Sequence, residues 1–127
     1  MRKVLLTCAV LATLILAACS SGSSSSSGSN GSTIAMGFGA FTGNTSITIK
    51  AGDSVTFDDS SGGVHQLVIG TSGQFSAVSG APSQLNTATG VMFNSGDKQT
   101  ILFPNTGTFP ITCKIHPSMQ ATVTVTS

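Results

Sequence analysis

Three side chains able to bind a soft metal ion crowd into Cys113-Lys114-Ile115-His116-Pro117-Ser118-Met119. The pattern C-x-x-H-x-x-M sets a thiolate, an imidazole and a thioether on one short stretch of chain. All three are soft or borderline donors of the kind that suit copper. The chain has one other histidine, His65, far upstream. With His65 the set becomes two imidazoles, one thiolate and one weak thioether, the donor set of a mononuclear electron-transfer copper site. Each residue alone has a plainer reading. A lone buried Cys is commonly an inert thiol, a lone His a satisfied structural group, and a lone Met core filler. Met36 and Met92 are rival thioethers, but neither has the loop position. The convergence of the two histidines with one cysteine, rather than any single residue, points to a metal.

The number of cysteines available depends on where the mature chain begins. Arg2 and Lys3 precede an uncharged apolar run over 4–18, short for a membrane span but suited to the apolar core of a signal peptide. The run ends in Leu16-Ala17-Ala18-Cys19, which resembles a bacterial lipobox. By that resemblance residues 1–18 are removed and Cys19 carries lipid. An ordinary secretory signal or an uncleaved anchor would equally place the chain outside the cytoplasm. Cys8 is then lost and Cys19 consumed, which leaves Cys113 alone in an oxidising compartment with no partner for an intramolecular disulfide. Residues 20–32 are nine Ser, three Gly and one Asn. Such a segment cannot bury apolar surface and is expected to act as a flexible tether reaching ~20 Å. The expected organisation is a signal peptide over 1–18, a lipidated Cys with its Ser/Gly-rich linker over 19–32, and one folded domain over 33–127.

The elements that must position the ligands read as strands. Ile47 and Ile49 share one face of 46–50, and Val55 and Phe57 share a face of the next run after an Ala51-Gly52-Asp53 turn. Further strands are expected over 64–69, 100–104 and 108–113, the last two joined through Asn105-Thr106-Gly107, and over 121–126. A first strand is expected over 33–41, weakened by Gly37 and Gly39. The segment 71–96 is Gly/Ser/Asn-rich and reads as a short helix or an extra strand near Val91-Met92-Phe93. Pro110, inside the strand leading to Cys113, removes one ladder donor, so a bulge or an edge is expected there. About seven to eight strands without a helical period predict an all-β, Greek-key sandwich. In it, the strand starting near His65 can lie beside the one ending at Cys113.

On these residues the chain resembles the cupredoxins, the plastocyanin/amicyanin-like branch of blue (type 1) copper proteins. The resemblance runs through Ile49-Lys50-Ala51-Gly52-Asp53-Ser54-Val55-Thr56-Phe57, Val64-His65, Gly107-Thr108-Phe109 and the ligand loop, where Pro117 follows His116 as in short amicyanin-type loops. It implies a one-electron carrier on one copper ion, with His65, Cys113 and His116 as equatorial ligands and Met119 axial. It also implies that His116 is the electron port, at an apolar patch that Phe38 or Pro82 would join. Gln66 stands where the family often has an Asn tying the two ligand loops together, and its backbone N–H remains available to the Cys113 sulfur. The family's Tyr near the Cys is missing.

Composition narrows the remaining classes. Only 7% of residues are charged, and no basic stripe suggests nucleic acid. Beyond residue 18 three lysines face four aspartates, a net charge of −1, which gives little electrostatic steering. Brief apolar docking of a monomer with a redox partner protein is expected, the partner being a respiratory or photosynthetic chain component or an oxidase. With no open coordination position and no acid/base pair, the chain is not expected to be an enzyme. Two histidines cannot build a trinuclear oxidase centre. The competing functions are copper delivery or sequestration outside the cytoplasm and, leaving the Cys/His/Met cluster unexplained, a metal-free adhesion sandwich.

Overall fold

The computed structural model describes residues 32–127, so the expected signal peptide, Cys19 and the tether as far as residue 31 lie outside the described residues. Ten strands follow one another: β1 (Ser32–Met36), β2 (Phe41–Thr42), β3 (Ser46–Lys50), β4 (Ser54–Asp58), β5 (Val64–Thr71), β6 (Gln74–Phe75), β7 (Val91–Asn94), β8 (Lys98–Leu102), β9 (Gly107–Cys113) and β10 (Gln120–Thr126). One sheet runs β2-β1-β4-β8. The other runs β3-β10-β9-β5-β6, with β7 also paired to β5. This is the expected all-β sandwich, with two very short strands beyond the expected number.

Period-2 alternation decides which residues meet between the sheets. From the first sheet Ile34, Met36, Val55, Phe57 and Ile101 are buried. From the second come Ile47, Ile49, Leu67, Ile69, Phe109, Ile111, Val123 and Val125. Thr48, Thr122 and Thr124 alternate with them on the outer face of β3 and β10, where β-branched side chains suit the pleat. Phe57 and Phe93 pack with ring centroids 6.3 Å apart, and Phe103 with Phe109 at 5.9 Å.

The expected first strand divides at its glycines. Gly37 N–H donates to Ala40 C=O at 2.8 Å, and the chain turns back so that β2 pairs β1. Segment 71–96 contains the strand alternative, β7, and no helix. Pro110 sits at a local edge. The Thr122 N–H opposite it points to Thr45, so the nitrogen of Pro110 faces the β5 side. There the β5–β9 ladder ends at Ile69–Ile111, one residue before Pro110 would have to donate.

Candidate metal centre

The pairing of β5 with β9 brings the distant histidine to the cysteine. Leu67 stands opposite Cys113, and His65, two residues before Leu67 and on the same face, points to the same end of the core. The chain leaves β9 at Cys113 and returns at Gln120. Within that loop Lys114 N–H donates to Gln66 C=O at 2.8 Å and Met119 N–H to His116 C=O at 2.9 Å. The result is a compact triangle. Nδ1 of His65 and Nδ1 of His116 are each 3.9 Å from Cys113 Sγ and 3.3 Å from one another. Such a triangle has the size of a first-row metal ion's donor shell, with bonds of about 2.0 Å to nitrogen and about 2.3 Å to sulfur. The donor types fit copper.

Burial is graded across the triangle. His65 and Cys113 are fully buried, Met119 is buried in the same core cluster as Cys113, and His116 is partly exposed. Cys113 Sγ faces two backbone N–H groups, from Gln66 and His116, each at 3.4 Å. Both point a donor at the sulfur, the kind of contact that tunes a metal-bound thiolate. The expected contact from Gln66 is therefore present, made by its backbone, while its side chain donates to Thr89 C=O.

Behind His65 lies Asp59, also fully buried, with Oδ1 3.5 Å from Nε2. Among the described residues, neither carboxylate oxygen nor Nε2 has a hydrogen-bond partner. Burial pushes the Asp59 carboxyl above its ordinary value, Asp97 and Asp58 push the same way, and His65 pulls against them. Gly63 closes this side of the ring. At its φ of +130°, an added Cβ would stand 2.9 Å from His65 Nε2.

The loop is tied from a direction the sequence reading did not identify. Thr112, buried, donates from Oγ1 to Met119 C=O at 3.0 Å and accepts the Gly73 N–H at 2.9 Å. A Cβ on Gly73 would meet Pro117 at 3.0 Å, so the β5–β6 turn packs against the ligand loop. At the surface Phe38 is 81% exposed and Ile115 44%, and a Cβ on the adjacent Gly39 would lie 3.6 Å from His116 Cδ2. Ile115 and Pro117 flank the partly exposed His116 in sequence, and Phe38 adjoins the Gly39 that lies against its ring. Pro82 does not join them. It is buried beside Thr100, Leu102 and Pro104, because the 71–96 segment carries it to the first sheet. Of the rival thioethers, Met36 is buried in the core and Met92 is exposed on β7.

Asp59, Thr112 and Gly63 are the residues that sequence reasoning passed over. The only available signal was a charged residue six positions before His65, in a run that also reads as an ordinary polar turn.

A family model described as copper binding proteins, plastocyanin/azurin family, matches residues 30–126. Among solved structures, amicyanin from Paracoccus versutus (Thiobacillus versutus) is similar at 18% identity, over 76% of this chain and 82% of that one, with a TM-score of 0.55. A reduced-state structure of an amicyanin point mutant is similar at 19% identity, over 76% and 83% of the two chains, with a TM-score of 0.57. These likenesses are of fold. A search of curated proteins returned no match.

Proposed function

Because the chain belongs to the plastocyanin/azurin family of copper-binding proteins, we propose that it carries single electrons on one copper ion held by His65, Cys113, His116 and Met119. The observation that supports this most is the convergence of two imidazole Nδ1 atoms and one thiol sulfur within 4.8 Å, at the end of a packed sandwich. Copper, when bound, supplies the Cu(II)/Cu(I) couple. The chain's own residues do the rest. Cys113 offers a thiolate steadied by two N–H groups. His65 presents Nδ1 from a strand sealed against water. Met119 contributes the weak thioether, its main chain held by Thr112. Ligands fixed by strands and a bonded loop move little between the two oxidation states, which keeps the barrier to electron transfer low.

His116 is the port, since it alone of the four is partly exposed and has the exposed Ile115 and Pro117 on either side of it in sequence and Phe38 next to the Gly39 against its ring. A monomer with few charges would dock there briefly, through apolar contact, with a redox protein of a respiratory or photosynthetic chain or with an oxidase. The N-terminal signal and Cys19 would anchor the domain by lipid to the outer side of a membrane. Burial of His65 and Cys113 favours retention of copper over its delivery to another protein.

The test is the visible spectrum of the purified protein after Cu(II) is added. One equivalent of Cu(II) should give an intense thiolate-to-copper band, and Cys113→Ser should abolish it. A colourless wild-type complex would refute the proposal.

A further inference from the structure

Residues 32–127 contain four aspartates, and three of them have ordinary work in turns. Asp53 Oδ2 accepts the Lys50 N–H at 3.0 Å. Asp58 Oδ1 accepts the Ser60 N–H at 2.9 Å, and its Oδ2 meets Lys98 Nζ at 2.8 Å. Asp97 Oδ2 accepts the Asn94 N–H at 2.7 Å. Asp59 differs. The fold uses its backbone, which donates to Asp97 C=O and accepts from Gly62 and Gly96. Its side chain is fully buried and makes no hydrogen bond among the described residues. The turn therefore gives no reason for a carboxylate at this position, and burying one without a partner is costly.

His65 supplies the reason. Its Nε2 is equally buried, equally without a hydrogen-bond partner among the described residues, and 3.5 Å from Asp59 Oδ1. That separation is slightly longer than a good hydrogen bond, but neither group has another partner among the described residues. The positive φ of Gly63 and its missing Cβ keep the approach open on this side. Resting on the reading that His65 is a copper ligand, we propose that Asp59 is a positioning residue for the site. Its carboxylate takes the Nε2–H of His65 and so leaves Nδ1 as the bare nitrogen facing Cys113. Its negative charge behind the ring favours the oxidised state.

Both effects follow from chemistry already in view. A carboxylate on the far nitrogen of a ligating imidazole fixes the tautomer and raises the basicity of the near nitrogen. Reduction brings in one electron from the redox partner and lowers the charge of the site by one. A fixed anion in the low-dielectric interior opposes that gain.

The test compares Asp59→Asn and Asp59→Ala with wild type. Asn retains an oxygen for the Nε2–H and removes the charge, whereas Ala removes both. Two readouts are needed: the midpoint potential, followed through the visible band, and the His65 tautomer in the metal-free protein, by nitrogen NMR at a pH where the ring is neutral. Asp59→Asn should keep the band and the tautomer, and should shift the Cu(II)/Cu(I) preference about tenfold toward Cu(I), a rise of ~59 mV for one electron. Asp59→Ala should raise the potential at least as far and give a mixture of tautomers. Unchanged potentials in both variants, with the wild-type band intact, would overturn the role of Asp59 and leave the ligand assignment standing. A wild type without the band would remove the ligand assignment, and this inference with it. The tautomer measurement on wild type needs no variant to fold: a hydrogen found on Nδ1 of His65 would overturn the proposal by itself.

Discussion

Replacing Thr112 by Val should cost far more than an isosteric change normally does. The γ-hydroxyl is buried and serves two groups at once, donating to Met119 C=O and accepting from Gly73 N–H. Valine leaves the Gly73 N–H without a partner, a penalty of about 1–3 kcal/mol. The Met119 carbonyl keeps the Cys113 N–H at 3.3 Å, so losing its second donor costs only a net hydrogen bond, about 0.5–1.5 kcal/mol. Together these predict a loss of roughly 1.5–4.5 kcal/mol, a fall in Tm of ~6–36 °C for a domain of this size. Thr112→Ser is the control. It keeps both hydrogen bonds and gives up one buried methyl, about 1 kcal/mol. Equilibrium unfolding of the metal-free protein in urea measures both variants. If Thr112→Val loses less than Thr112→Ser, the hydroxyl does not hold the ligand loop and the reasoning fails.

Gly63→Ala and Gly52→Ala separate backbone strain from crowding at the site. Both glycines have positive φ, but among the described residues nothing lies within 4 Å of a Cβ on Gly52, whereas one on Gly63 meets His65 Nε2 at 2.9 Å. Both variants should lose about 1–3 kcal/mol of stability, and only Gly63→Ala should weaken copper binding, by ~10–100-fold as disturbed outer contacts of a metal site do. Equal copper affinities in titrations of the two would contradict the packing argument. His116→Ala should still take up copper through the buried ligands and exchange electrons much more slowly. Stopped-flow self-exchange at the wild-type rate would show that the electron leaves by another route.

Most of the fold could be read from the sequence because alternation is a local signal. Ile47 and Ile49, Val55 and Phe57, and Val123 and Val125 announce their strands and inner faces without help from the rest of the chain. The convergence of His65, Cys113 and His116 was equally legible, since unusual residue types at short spacing leave few structural uses for themselves. What escaped the sequence was set by tertiary contact. Thr112 resembles any strand threonine until Gly73 and Met119 are seen on either side of its hydroxyl. Asp59 lies next to Asp58 in a polar run, and only the fold turns one outward to Lys98 and the other inward to His65. Pro82 lies in a segment without periodicity, where sequence offers no means of choosing an end of the sandwich.

The four proposed ligands fall into two mechanical halves, and the division has a functional consequence. His65 and Cys113 belong to paired strands, with core packing around them and Asp59 and Gly63 behind the imidazole. His116 and Met119 belong to a loop held by a few hydrogen bonds to β9, to Gln66 and, through Thr112, to the β5–β6 turn. Changes of charge behind the strand half, as at Asp59, alter ligand basicity without crowding the site, so they should act on the potential. Changes to the loop ties alter how firmly the exposed imidazole and the thioether are held, so they should act on reorganisation and exchange rate. A site built this way can have its driving force adjusted from inside the sandwich while the proposed docking face at Phe38, Ile115 and Pro117 stays the same.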